Sequence, residues 1–293
     1  MIKNVQFINY GSNAVKLYEY EDQESSSKAN KHEAGFVAAL VKYFLLNGVN
    51  EEKITILTFY LRQVQEIKCF LRYMEGQPQI NCQTVDNFQG QENDIIILST
   101  VRSNRAGRGG FSVIDNRVCV ALSRARNSLF VVGNLEMLAK SPVPRSNAQS
   151  EGNIWARILK CAKTRDTLVT GVALYCVRHA PYKRYIQPGK TPDDTAKMFQ
   201  KYFPEGGCTK PCEIRLNCGH RCPHAICTCH HADRHKSLKC QQKCERLCPL
   251  GGHKSCKLRC WQACEMCPIL VAKTVPKCGH SQVGCIGPIS CII

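Results

Sequence analysis

No stretch of this sequence is both long and apolar: the longest run, Phe36 to Leu46, is broken by Lys42 and is too short to span a bilayer. The opening Met1-Ile2-Lys3-Asn4 runs straight into a strand-like segment without the apolar centre of a secretory leader. Acidic side chains are few, 23 against 40 Lys and Arg, and the formal net charge of +17 points to an anionic partner, nucleic acid first. Cysteine is thin over the first 207 residues. Cys69, Cys82, Cys119, Cys161 and Cys176 are scattered through apolar stretches there, as reduced thiols are. The other sixteen of 21 cysteines, with seven of the nine histidines, follow residue 207. These absences argue against a membrane protein and a secreted disulfide scaffold. They favour metal binding in a reducing compartment, expected to be the cytoplasm, with the nucleus as the alternative.

What is present falls into three stretches. Residues 1–140 alternate strand-like runs (Val5–Ile8, Ile54–Thr58, Ile95–Thr100, Leu129–Val132) with helical patterns over Glu33–Leu46 and Gln63–Met74. That alternation predicts a mostly parallel sheet covered on both faces. Glu21 to Lys31, with three serines and several charges, reads as a mobile surface loop. Residues 141–207 open on Ser141-Pro142-Val143-Pro144 and close on Pro204-Glu205-Gly206-Gly207; they read as a linker with one helix, Ile154–Cys161. Residues 208–293 are loop-rich and dominated by metal-ligand side chains.

Three segments carry chemistry in the first stretch: ITILTFYLRQVQEI (54–67), TVDNFQGQENDIIILSTVRSN (84–104) and NRVCVALSRARNSLFVVGN (116–134). In this order they resemble motifs IV, V and VI of superfamily 1 RNA helicases of the Upf type. The resemblance implies that residues 1–140 form a RecA-like parallel-sheet α/β domain of P-loop NTPase type, the second half of a motor. Val118, Ala121, Leu122 and Ala125 are expected to form an apolar helical stripe with Arg124 and Arg126 on its two sides. The resemblance makes Arg124 the arginine finger, since phosphoryl transfer needs a guanidinium at the γ-phosphate, with Arg126 bracing the motif. It assigns Gln89, Gly90 and Glu92 to the nucleotide side, Gly90 for close backbone approach and Glu92 to accept from a ribose hydroxyl. Tyr60 is expected on adenine, and Gln63 beside it. Relatives carry an arginine after the motif IV glutamine, whereas Val64 follows Gln63 here; Arg62 stays outside the predicted set. RNA contacts are expected from Thr58, Thr84, Asp86, Ser99, Thr100 and Arg102, and from the Arg- and Gly-rich loop 102–110.

No GxxxxGK[ST] loop and no following Mg²⁺-binding carboxylate strand occurs. Those belong to a first RecA-like domain, so the chain reads as a fragment of a larger protein or as an inert scaffold. By itself it is expected to hydrolyse no ATP; ATP and Mg²⁺ would require that first domain as a partner.

The cysteine-rich stretch reads Cys208, Cys212, Cys218, His220, Cys222, His224, Cys227, Cys229 and His230, running on to His235. Cys240, Cys244, Cys248, His253, Cys256, Cys260, Cys264 and Cys267 follow, then Cys278, His280 and Cys285, with Cys291 near the end. Thiolates and imidazoles at such short intervals suit tetrahedral Zn²⁺ in closed four-ligand sites, four of which would consume sixteen cysteines. The CGH triplet recurs at Cys218–His220 and Cys278–His280, so the segment is repetitive, and metal rather than an apolar core supplies its folding free energy. Ligand pairing does not follow from order. The CxxxC, CGHxC and GHxCxxxC pattern resembles the NFX-type zinc finger, and a Upf-type motor followed by it is the arrangement of the NFX-type zinc-finger-containing helicases. Cys176-x2-His179 fits that layout too but stays outside the predicted ligand set. From residue 208 onward, 13 basic and 4 acidic side chains give a nominal +9, which sixteen zinc-bound thiolates reduce to about +1; residues 1–207 keep +8. The motor half, not the fingers, is therefore the expected RNA grip.

The expected function is the C-terminal half of an ATP-dependent RNA helicase motor with zinc fingers; the resemblance implies RNA silencing or antiviral RNA sensing. The alternative is a zinc-dependent protein-interaction or transcription-repressor module on an inert helicase-like scaffold. No protein partner of the fingers is named by the sequence.

Overall fold

The computed structural model describes residues 4–11, 19–142, 152–176, 178–179, 181–224, 226–227, 235, 238–245, 258–262, 272–274 and 281–283. The chain forms two compact units, Met1–Thr209 and Lys210–Ile293.

The first unit is built on a six-stranded parallel sheet. Its strands are β1 (Val5–Asn9), β4 (Ile54–Thr58), β5 (Asn81–Thr84), β6 (Asn93–Ser99), β7 (Ala125–Gly133) and β8 (Leu168–Val169), ordered β5-β4-β6-β7-β1-β8. Central strands covered on both faces read as unbroken apolar runs, and all five residues of β4 are buried. Alternate side chains supply opposite faces. Ile97, Phe130 and Val132 pack under α1 (Lys31–Leu46) and α2 (Leu61–Arg72), whereas Ile96, Leu98, Leu129 and Val131 pack under α3 (Asp115–Leu122), α4 (Leu135–Lys140) and α5 (Ile154–Thr164). This is the parallel-sheet α/β architecture that the alternating pattern predicts, of the RecA-like kind that the motif resemblance implies.

Three expectations are corrected and one strand is added. The segment expected as a mobile loop is a hairpin, β2 (Glu19–Glu21) against β3 (Lys28–Asn30). Asp22 makes its turn: the carboxylate accepts from the Ser25 N–H at 3.1 Å and the Ser25 hydroxyl at 2.6 Å. The polar residues are thus the turn's own hydrogen-bonding groups. Next, β5 went unread because its sequence Asn-Cys-Gln-Thr is that of a polar edge strand. Arg124 and Arg126 do not share a helix, since α3 stops at Leu122 and Arg126 lies in β7. Finally, the segment read as a linker carries α5, β8, an antiparallel pair β9 (Val172–Tyr175) and β10 (Lys183–Ile186), and α6 (Pro192–Tyr202).

Helix α6 begins with a capping box, Thr191 and Asp194 exchanging side-chain to backbone bonds, and Pro192 in its first turn. It packs on α1 through Phe36–Phe199 and Tyr43–Phe203 ring contacts, centroids 5.9 and 5.4 Å apart. The approach needs Gly35, because a Cβ there would meet the Pro192 Cβ at 2.6 Å.

The second unit has little regular structure among its described residues: single bridges Arg215–Arg221 and Lys243–Arg259 and one antiparallel pair, β11 (Ala272–Thr274) with β12 (Ser281–Val283). No helix among the described residues is long and apolar enough to cross a membrane.

Candidate functional site

The two ends of the sheet hold different sets of predicted residues. Glu92 immediately precedes the first residue of β6 and Arg124 sits in the turn before β7, so both lie at the amino-terminal edge, whereas Gln89 follows the Thr84–Phe88 turn at the carboxyl end of β5. The Arg124 guanidinium donates to the Val120 carbonyl (Nε, 3.0 Å), the Gln91 carbonyl (Nη1, 3.3 Å) and the Ser123 hydroxyl (Nη2, 3.1 Å). Among the described residues it has no carboxylate partner, so its charge is uncompensated. Arg126 is different: its Nε lies 3.4 Å from Asp94 and 3.8 Å from Glu92. Gly90 has φ +78°, with nothing within 4 Å of where a Cβ would stand. The backbone there is open to a ligand, and a side chain would be strained.

Tyr60 and Gln63 lie past the end of β4, at the carboxyl edge. The seven residues of β6 separate the two edges by about 20 Å. Tyr60 is 5% exposed. Its hydroxyl accepts from Arg102 Nη1 at 3.3 Å and from the Phe111 N–H at 3.1 Å. Gln63 is fully buried; it accepts from the Asn30 N–H at 2.7 Å and donates to the Asn30 carbonyl and the Ser99 hydroxyl at 3.1 and 3.0 Å. It ties α2 to the start of α1.

The predicted RNA contacts are mostly inside. Thr58, Ser99 and Thr100 are fully buried, and Arg102 pairs with Glu19 at 3.3 Å. Strand-end hydroxyls in a covered sheet serve the fold first. Of that set Thr84 is half-buried and Asp86 exposed, the latter paired with Arg117 at 2.9 Å. Arg105 and Arg108 in the loop 102–110 are exposed.

One buried acid at this edge was not singled out in the sequence. Glu33 accepts from the Tyr10 hydroxyl (2.6 Å), the Ser99 hydroxyl (2.5 Å) and the Val101 N–H (2.8 Å). Burial lifts its carboxyl from 4.5 to about 7, against those hydrogen bonds, which hold it down. A glutamate in the first turn of an amphipathic helix reads as surface; only the fold puts it under the sheet's edge.

In the second unit the cysteines and histidines gather. Cys218, His220, Cys240 and Cys260 place one ligand atom each within 4.8 Å of one another, and Cys212, Cys222 and His235 do likewise. Gly219, at φ +87°, turns the Cys218-Gly-His220 triplet, and the Leu216 N–H to His220 carbonyl bond of 2.8 Å closes it. The second half of that cluster comes from the Lys243–Arg259 bridge, where the Cys260 N–H donates to the Gln242 carbonyl at 2.9 Å. Burial raises the Cys218 thiol, but hydrogen bonds from the His220 backbone and ring and from Cys240 and Cys260 outweigh it, bringing it to about 7. Mixed thiolate and imidazole sets of this size are compatible with zinc. His235 was not in the predicted ligand set. His224 and Cys244, which were, fall outside both clusters; Cys227 is buried. Cys229, His230, Cys248, His253, Cys256, Cys264, Cys267, Cys278, His280 and Cys285 lie outside the described residues. Cys208, predicted to open the array, belongs to the first unit.

Residues 2–136 match the family described as AAA domain. The chain is 40% identical over 268 residues to the human NFX1-type zinc finger-containing protein 1, an alignment covering 90% of this chain and 13% of that protein. It is 42% identical over 124 residues to the fission yeast helicase required for RNAi-mediated heterochromatin assembly 1, covering 41% of this chain and 12% of the relative. It is 34% identical over 151 residues to the Drosophila regulator of nonsense transcripts 1 homolog, covering 50% and 12%. The chain thus spans about an eighth of the length of these relatives. With sheet order, motif order and these likenesses in agreement, residues 2–136 belong to the superfamily 1, Upf-like helicases, and the chain with its Cys/His clusters is of the NFX1-type zinc-finger-containing kind.

Proposed function

We propose that this chain is the second motor half of an ATP-dependent RNA helicase, followed by zinc-binding fingers. The observation that carries the reading is the contact of Arg124 with the Gln91 carbonyl at the amino-terminal sheet edge. A guanidinium held by two carbonyls and a hydroxyl is oriented yet keeps its charge for a polyanion. Arg126, engaged by Asp94 and Glu92, braces that loop. Gly90 admits close backbone approach. The phosphate cradle and the Mg²⁺ site would come from a first RecA-like domain facing this edge, and together the halves would hydrolyse ATP. RNA as the substrate is supported by the relatives' names, which specify RNAi-mediated heterochromatin assembly and nonsense transcripts, and by the +8 balance of residues 1–207. The exposed Arg105 and Arg108 are the backbone contacts within reach, while the buried Thr58, Ser99, Thr100 and Arg102 shape the edge.

The test is made in the longer protein that contains both motor halves. Arg124→Ala should lower ATP turnover by about 10³-fold or more while RNA affinity changes little. Arg126→Ala should cost less, because it loosens the loop without removing the charge at the phosphate. Undiminished turnover in Arg124→Ala, or equal loss of turnover and RNA binding in a folded variant, would overturn the assignment.

A further inference from the structure

The first unit brings Cys208, read in the sequence as the start of the array, together with Cys176 and His179, which stand outside the predicted ligand set. Cys176 ends β9, His179 lies in the connection to β10, and Cys208 follows α6. The His179 Nδ1 is 3.4 Å from the Cys176 Sγ and 3.1 Å from the Cys208 Sγ, and the two sulfurs and this nitrogen all lie within 4.8 Å of one another. Both cysteines are buried, at 1% and 0% exposure.

A ring nitrogen carries either one proton or one lone pair, so it makes one good hydrogen bond, not two. Two sulfurs converging on one Nδ1 are better explained by a cation between the three. With Zn–S near 2.3 Å and Zn–N near 2.0–2.1 Å, tetrahedral angles put S and N about 3.5 Å apart, close to both distances.

The backbone around the three ligands is already fixed. The Cys176 N–H donates to the Tyr182 carbonyl at 3.0 Å, and the Tyr182 N–H to the His179 carbonyl at 2.7 Å, closing the turn that presents the imidazole. Tyr43 on α1 donates to the Tyr175 carbonyl at 3.0 Å, one residue before Cys176. Asn47, just after α1, donates to the Gly206 carbonyl at 3.1 Å, two residues before Cys208. Both thiols are therefore carried on chain segments pinned to the same helix, as a structural metal site requires.

We propose that Cys176, His179 and Cys208 bind a zinc ion through two thiolates and the imidazole Nδ1, a site that belongs to the helicase-like unit and locks α6 and the β9–β10 pair onto α1. A tetrahedral ion takes one further donor. The site makes part of the first unit metal-dependent, although its sheet has an apolar core of its own.

The experiment uses the full chain purified with zinc under reducing conditions and measures bound metal by native mass spectrometry. Cys176→Ser and His179→Ala should each lose one zinc per chain relative to the unsubstituted protein. His179→Cys should restore it, because a thiolate can replace the imidazole. Cys161→Ser, which alters an exposed thiol on α5, should lose none. Should the variants fail to fold, the unsubstituted chain loaded with ¹¹³Cd reads the same site: the His179 ring protons should show cadmium coupling through Nδ1. The proposal fails if Cys176→Ser and His179→Ala fold and keep every zinc, if the His179 ring shows no cadmium coupling, or if Cys176 and Cys208 are found joined as a disulfide.

Discussion

Arg124 and Arg126 stand two positions apart, and what distinguishes them is the company each keeps. One is held by carbonyls and a hydroxyl, the other by carboxylates, and only the first has charge to spare for a phosphate. No spacing rule shows this, because the carboxylates come from before and within β6 and meet Arg126 only through strand pairing. Glu33 makes the same point for stability. Its carboxyl titrates near 7 when folded and near 4.5 otherwise, so the native unit holds a proton that the unfolded chain has released between those values. Stability contributed by that proton is present below about pH 4.5 and is lost as pH rises through 7, a loss on the order of 3 kcal/mol. Urea unfolding of the chain across pH 5 to 8 should show this decline, and Glu33→Gln should flatten it. An unchanged slope in the variant would assign the decline to other groups.

At the scale of elements, the packing of α6 on α1 depends on one absent methyl group. Gly35→Ala gains about 1 kcal/mol of helix propensity but forces the helices apart where a Cβ would meet Pro192 at 2.6 Å. Overpacking of this kind costs about 1–3 kcal/mol, so a net loss is expected in denaturant unfolding, largely recovered by adding Pro192→Ala. A stabilised single variant would show that α6 moves aside freely. The elements legible beforehand, β1, β4, β6, β7 and the helices α1 and α2, are those whose burial imposes a period on the sequence. The β2–β3 hairpin and β5 were not legible: their residues are polar, and pairing or turn bonds, not an apolar face, hold them in place. The segment 141–207 hid its role for another reason. Its short strands and capped helix acquire meaning only against α1 and β1.

For the molecule as a whole, metal and apolar core divide the work of folding. Chelation should expose 210–293 to protease and release at least two zincs, one from each finger cluster, while the six-stranded sheet stays resistant. Fewer than two zincs per chain would defeat the cluster assignment. If the site at Cys176, His179 and Cys208 is occupied, α6 should also exchange its amide hydrogens faster after chelation, although the sheet does not. The sequence by itself determined the parallel α/β class, the order of the three helicase motifs and the presence of a zinc-binding segment. Each of these rests on local chemistry: periodic burial, motif residues in fixed order, and ligand types at short spacing. The tertiary structure alone decided which arginine has no carboxylate partner among the described residues, that Tyr60 and Gln63 lie at the opposite sheet edge from Arg124, and which histidine joins which thiols. Those are contacts between residues remote in the chain, and a distance fixed by strand length and pairing register cannot be read from neighbours in sequence.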